Sequence, residues 1–400
     1  MRISEKMSHY LYLLFLIMLI CVICLSESAL GKGIQTLTVE EGKTMTIKEE
    51  TLFIGKSIVI EPDATLILDN TSILRWKGDS TEVLMGDNST LFLNASRMNT
   101  SVIRGDSVRA VTFDNSDLIA EEIALHASEI RSVSSTISSI NISGEGRLIE
   151  LQNSTIEGAH TYLKSIFTRI EGSTIDSREI EFLSAEYLSI GKTTLLGNVT
   201  VGDLFETSDA LIKMRDVYLD WSAFTLHSNL PLTPYNTFTA RVTNPADTPM
   251  AGIEVLIYAD GEQIGNASTD QDGKAEFNLP AATIHDGRGQ VTFINYTAVV
   301  HFTNTTASAN FTLVSPLTLT LREETAPPEP NETSTPTIAN EPESSATTSK
   351  TPDVADVTPA VTLTRRVMGA FLTGSFIILG LTIGGVLGVI ALIIKRRGRD

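Results

Sequence analysis

Short apolar segments recur at a nearly constant interval through the first half of the chain. Ser96-Arg97-Met98, Ser116-Asp117-Leu118, Ser135-Thr136-Ile137, Ser154-Thr155-Ile156, Ser173-Thr174-Ile175 and Thr193-Thr194-Leu195 each read hydroxyl, any residue, aliphatic. Their aliphatic positions are spaced by 20, 19, 19, 19 and 20 residues. Further apolar pairs follow: Ile123/Leu125, Tyr162/Leu163 and Ile180/Phe182 in one group, Val111/Phe113, Ile149/Leu151 and Leu188/Ile190 in another. Three short strands per repeat, separated by Ser, Asn, Gly and Glu, make a coil that cannot bury its own face. Stacking the coils buries a continuous interior, so the pattern predicts a parallel β-solenoid over residues 32–229. A leucine-rich repeat shares the period, but the β-branched bias here disfavours it. With strands stacked ~4.8 Å apart, about nine or ten coils give a rod ~45 Å long.

The first coils are less regular. Thr36-Leu37-Thr38-Val39, Met45-Thr46-Ile47, Ile58-Val59-Ile60 and Thr65-Leu66-Ile67-Leu68 read as short strands split by Glu-Glu-Gly-Lys and Glu-Pro-Asp turns. The stretch from Gly55-Lys56-Ser57-Ile58 through Glu61-Pro62-Asp63-Ala64-Thr65-Leu66 resembles the opening coils of right-handed parallel β-helix proteins of prokaryotic surfaces. From Tyr235 the strands lengthen and alternate. Phe238 to Val242 leads to the turn Asn244-Pro245-Ala246-Asp247, and Ile253 to Tyr258 runs into Asp260-Gly261, a strong hairpin signal. Thr269-Asp270-Gln271-Asp272-Gly273-Lys274-Ala275-Glu276-Phe277 gives the next turn and strand; Val291 to Ile294 and Ala298 to Val300 supply later ones. With Ala251-Gly252-Ile253-Glu254-Val255, these turns resemble the carboxypeptidase-regulatory, transthyretin-like β-sandwich. The resemblance implies a non-catalytic spacer or binding module over residues 230–322.

Both chain ends carry apolar runs. Residues 367–394 are uncharged and predominantly apolar, and as a helix they would rise ~42 Å at ~1.5 Å per residue, enough to cross a ~30 Å hydrocarbon core. The basic tail 395–400 should stay cytoplasmic and place everything before the span outside. Gly380, Gly384 and Gly388 share one helical face, which allows close helix contact and predicts a homodimer through the span. At the other end Arg2 and Lys6 precede the apolar run Leu11 to Leu25, and small residues follow at Ser26, Ser28, Ala29 and Gly31. That is a secretory signal peptide over residues 1–31, with an uncleaved signal anchor as the alternative. Residues 323–366 hold seven of the chain's 14 prolines amid Ser, Thr and Glu, and form a disordered stalk.

The only two cysteines, Cys21 and Cys24, lie in the signal segment, so no disulfide holds the exterior and its cores must suffice. A net charge of −18 argues against nucleic-acid affinity, because phosphate binding needs clustered cations. Of 18 asparagines, 12 stand in Asn-x-Ser/Thr: Asn70, Asn88, Asn94, Asn99, Asn141, Asn153, Asn198, Asn266, Asn295, Asn304, Asn310 and Asn331. Chance would give about four, and the excess predicts glycosylation of an extracellular chain. The overall style resembles that of archaeal surface proteins.

Candidate chemistry is sparse. Asp270 and Asp272 alternate as calcium ligands do, but Lys274 takes the third position and a turn with solvated aspartates is favoured. Asp87/Asp106, Glu157/Asp176 and Glu186/Glu206 have the offset that stacks carboxylates on adjacent coils, with Arg104 and Arg109 near the first pair. His126, His160, His227, His285 and His301 show no ligand spacing. No catalytic, cofactor or metal site is assigned. Trp76, Tyr162, Tyr187, Tyr218 and Trp221 are candidates for an exposed aromatic row.

The expectation is therefore an all-β ectodomain: a parallel β-solenoid, a small β-sandwich, a disordered stalk and one C-terminal transmembrane helix. Its role would be that of a single-pass cell-membrane glycoprotein, structural or adhesive, whose partners are the membrane and surface glycans or envelope proteins. The alternatives are a membrane-tethered polysaccharide lyase or hydrolase acting on the solenoid groove, and an accessory subunit that offers its second module to a partner.

Overall fold

A computed structural model describes residues 32–76, 79–203 and 211–324. The signal segment, most of the stalk, the apolar span with Gly380, Gly384 and Gly388, the basic tail, Asn331 and Glu206 lie outside the described residues. The described chain is all β apart from one 3-10 turn, Trp221–Ala223. Residues 32–227 form a parallel β-solenoid of about ten turns with three faces.

The predicted repeat is the register of the second face. Met98 pairs Leu118, Leu118 pairs Ile137, then Ile156, Ile175 and Leu195 follow, one residue per coil. The first face stacks Leu66, Leu91, Val111, Ile130, Ile149, Thr168 and Leu188. The third stacks Ile58, Val83, Ile103, Ile123, Ile142, Thr161, Ile180, Val199 and Phe224. These aliphatic rows are almost wholly buried, and each full burial contributes ~1.5–3 kcal/mol. One inward pair is offset from the sequence expectation. The inward residues are Thr161 and Leu163, so Tyr162 faces outward. Hydrophobicity favoured the tyrosine, but the buried Thr161 hydroxyl has a partner in Ser177 Oγ at 2.6 Å, and side-chain alternation then turns Tyr162 out.

The hydroxyl of each hydroxyl-x-aliphatic segment has its own task. Ser96, Ser116, Ser135, Ser154 and Ser173 are buried at the corner between the first and second faces. Each donates to the carbonyl two residues back, as Ser116 does to Asp114 O at 2.7 Å and Ser135 to Val133 O at 2.8 Å. Each also accepts a backbone N–H from the coil before: Ser96 N to Ser116 Oγ at 3.1 Å, Ser116 N to Ser135 Oγ at 3.0 Å, Ser154 N to Ser173 Oγ at 3.2 Å. The residue just before the hydroxyl is left-handed in coil after coil, with φ 50° at Asn70, 46° at Ala95 and Asn115, 49° at Ser134 and 48° at Asn153 and Lys192. Such a φ is costly for non-glycine residues. Here it aims the backbone N–H at the next coil, as with Ala95 N to Asp114 O at 2.9 Å.

Beyond the last coil, two small sheets share a second core. Tyr235–Thr243 pairs antiparallel with Lys274–Pro280 and parallel with Leu317–Arg322. Glu262–Ser268, Glu254–Ala259, Asn295–His301 and Thr306–Thr312 form an antiparallel four-stranded sheet. Phe238 stacks on Phe311 at 4.1 Å between ring centres, and Phe311 on Tyr296 at 5.5 Å. Val291–Phe293 does not join either sheet. It makes a hairpin with Ala282–Ile284, and Ile284, Val291 and Phe293 pack on the solenoid core instead. Between these strands Gly287 and Arg288 pair antiparallel with Leu226 and Thr225, so the hairpin closes the open end of the last coil. Trp221, expected to be exposed, is 6% exposed beneath it, tilted against Phe224 and edge-on to Phe293, with its Nε1 donating to Val314 O at 2.9 Å.

Two outcomes follow. Ser135→Ala removes both corner bonds and should cost ~1–3 kcal/mol in denaturant unfolding, with faster hydrogen exchange at the Ser116 amide; the exposed Ser128→Ala should do neither. Burial pushes the Tyr296 phenol up to about 12, helped by Tyr235, while its hydroxyl donates to Pro280 O. The fold thus favours the protonated phenol: this contribution is complete below pH ~10 and is lost as pH rises through about 12. Alkaline tyrosinate titration should show a step near pH 12 that is absent in Tyr296→Phe.

Candidate functional site

The outward rows of the third face carry the densest chemistry. One row runs Glu122, Asn141, His160, Glu179 and Asn198; the next runs Arg104, Ala124, Ser143, Tyr162, Glu181 and Thr200. Because residues one coil apart lie side by side, polar and charged groups fall into pairs. Arg104 Nη2 meets Glu122 Oε2 at 3.1 Å, Lys164 Nζ meets Glu145 Oε2 at 3.5 Å, and His160 Nδ1 meets Glu179 Oε2 at 2.8 Å. Such half-exposed pairs contribute ~0–1 kcal/mol each, so they shape the surface more than they stabilise it.

Two grooves open on this face. The first, 340 Å³, is lined by His160, Tyr162, Glu179, Glu181, Asn198 and Arg288, the last brought by the capping hairpin. The second, 540 Å³, lies at the following corner among His126, Glu145, Gly146, Arg147 and Lys164. The chain is tightest there at Gly146, where a Cβ would stand 2.1 Å from Ala127 O. Burial raises the Tyr162 phenol above its ordinary value; Lys164 opposes this and Glu145 and Glu181 add to it. The neutral phenol is therefore a donor and a flat stacking surface between paired charges. Open, polar and aromatic, the first groove can accept hydroxyl-rich ligands through Glu181, Asn198 and Arg288 while a ring face packs on Tyr162.

Other sequence candidates fall elsewhere. Glu157 and Asp176 are register partners on the second face, as their spacing predicted. Arg104 engages Glu122, and neither groove is lined by Asp87, Asp106 or Arg109. Asp270 Oδ1 accepts the N–H of Asp272 at 2.9 Å and of Lys274 at 2.8 Å, which makes it a turn cap. The aromatic candidates do not form one row: Trp76 is 51% and Tyr218 45% exposed on the coil surface, Tyr187 lies on the first face and Tyr162 on the third. Among the described residues no group of His, Cys, Asp and Glu could hold a metal ion, and no helix is long and apolar enough to cross a membrane. Asn70, Asn88, Asn141, Asn153, Asn198, Asn266, Asn295, Asn304 and Asn310 are exposed; Asn94 and Asn99 are half-buried. Arg288 is the residue sequence reasoning missed, since only the fold brings it to the third face.

The chain matches no protein-family model and no curated protein. The groove's own geometry carries the functional reading.

The Tyr162 phenol should titrate above the ordinary ~10. Glu181→Gln should bring it down and Lys164→Met push it further up, both measurable by absorbance difference against Tyr162→Phe.

Proposed function

We propose that the protein is a membrane-anchored cell-surface glycoprotein with a structural or adhesive, non-catalytic role, whose solenoid holds out a glycan- or envelope-binding face. The observation that carries this reading is the third-face groove, where Tyr162 lies among Glu181, Asn198 and Arg288 on a rigid stack of strands. An aromatic ring flanked by carboxylate, amide and guanidinium suits a sugar, which offers an apolar ring face and a rim of hydroxyls. The exposure of nine of the eleven described sequon asparagines supports glycosylation. The apolar run 367–394 with its basic tail supports a single-pass anchor with the ectodomain outside. On this reading residues 1–31 direct export, residues 323–366 form the stalk, and the three spaced glycines allow pairing of two anchors. The second module acts as a carboxypeptidase-regulatory-like spacer, and the composition suits an archaeal surface.

A second reading, a tethered polysaccharide lyase or hydrolase, is favoured by one feature: His160, Glu179 and Glu181 share the same groove. Glycan-array binding combined with chain-length analysis of added polysaccharide separates the two. Binding without shortening is expected, and Tyr162→Ala should weaken it about ten-fold, the equivalent of ~1.4 kcal/mol of lost stacking and contact. Release of shorter chains, abolished by Glu181→Gln, would replace the binding role with the enzymatic one.

A further inference from the structure

The two sheets of the second module differ on their outer faces. The sheet holding Tyr235–Thr243 shows Arg241, Lys274, Glu276 and Arg322 to solvent and contains no sequon. The four-stranded sheet shows half-buried Leu256, Tyr258 and Val299, and its strands and turn carry Asn266, Asn295, Asn304 and Asn310. Strand register then does something no linear sequon implies. Asn295 lies opposite Thr312, and Thr297 opposite Asn310, so the sequons Asn295-Tyr296-Thr297 and Asn310-Phe311-Thr312 interlock across the two strands. Thr312 Oγ1 donates to Asn295 Oδ1 at 2.7 Å, and Thr297 Oγ1 donates to Asn310 Oδ1 at 2.8 Å.

Each carboxamide is thereby held by its oxygen through the other sequon's hydroxyl. Each Nδ2, the atom that takes a sugar, is left without a protein partner among the described residues. Asn88, Asn94 and Asn266 differ: their Nδ2 groups donate to Asp63, Asp69 and Glu254. The pair also lines a groove of 490 Å³ with Asp260 and Gly261.

We infer that Asn295 and Asn310 form one paired glycan-acceptor site, whose sugars cover the Leu256–Tyr258–Val299 strip. This rests on the reading of the protein as N-glycosylated. In the transfer an Nδ2–C1 bond forms, Nδ2 gives up a proton, and the C1–O bond of a glycosyl-phosphate donor breaks with the phosphate leaving on its electron pair. The donor and its transferase act from outside the chain. Folded-state pairing presents both nitrogens at once, so loss of one sequon's hydroxyl is felt at the other sequon's asparagine.

Glycopeptide mass spectrometry of the full chain from an N-glycosylating host tests this. Sugars are expected at both asparagines. Thr297→Val abolishes its own sequon and should also lower the occupied-to-free ratio at Asn310 about five-fold, the weight of one neutral hydrogen bond, although Asn310-Phe311-Thr312 is intact. Thr297→Ser should restore both sites, and Asn295→Gln, which keeps the Thr297 hydroxyl, should leave Asn310 occupied. Unchanged occupancy at Asn304 in Thr297→Val shows that the module still folds. Asn310 occupancy unaffected by Thr297→Val would overturn the inference, as would bare Asn295 and Asn310 in a chain glycosylated at Asn141 and Asn198. A chain with no sugar at any sequon would instead overturn the glycoprotein reading itself.

Discussion

The corner hydroxyl ladder sets the geometry on which the rest of the solenoid depends. A parallel stack needs each coil to begin where the last one began, and apolar rows by themselves tolerate small slips. Buried serines at 96, 116, 135, 154 and 173 remove that freedom, because each hydroxyl donates within its own coil and accepts from its neighbour. A hydroxyl left unpaired there would be expensive, so register error is penalised at every coil. Longer coils respect the same corner. Ile73 to Met98 and Val199 to Phe224 each span 25 positions, yet the pairing register resumes on the same rows.

The two cores are joined by the same device. In the last coil the left-handed corner residue is Asp216, φ 54°, and its buried carboxylate accepts the N–H and hydroxyl of Thr237 at the start of the second module. The corner that elsewhere passes a hydrogen bond to the next coil here passes it to another fold. Ile284 and Phe293 meanwhile cover the apolar end that a stack of coils leaves bare. An open parallel edge invites pairing with other chains, and the hairpin at Gly287 and Arg288 occupies part of it.

The proposed binding groove sits where these constraints meet. Two rows of the third face place His160, Glu179, Tyr162 and Glu181 side by side because of the coil period, and the capping hairpin adds Arg288. A groove so built is as rigid as the stack beneath it, which suits repeated, shallow contacts with a polymer better than the enclosure of a small molecule.

Much of this was legible in the linear chain. The spacing of Met98, Leu118, Ile137, Ile156, Ile175 and Leu195 is the pairing register itself, since a parallel coil converts sequence period directly into stacking. Asp260-Gly261 and the Asp270 turn were readable for a similar reason: their hydrogen bonds are local. The inward choice between Thr161 and Tyr162, the burial of Trp221 and the departure of Val291–Phe293 from the second core were not. Each depends on what lies across a gap that sequence distance does not measure: a serine hydroxyl for Thr161, a capping hairpin for Trp221, an uncovered solenoid end for Phe293. Period, patterning and turn chemistry determined the architecture, because they are properties of neighbours along the chain. Only the tertiary structure decided which face carries the groove and which sequons interlock, because both are contacts between residues brought together by the stack and the sheet.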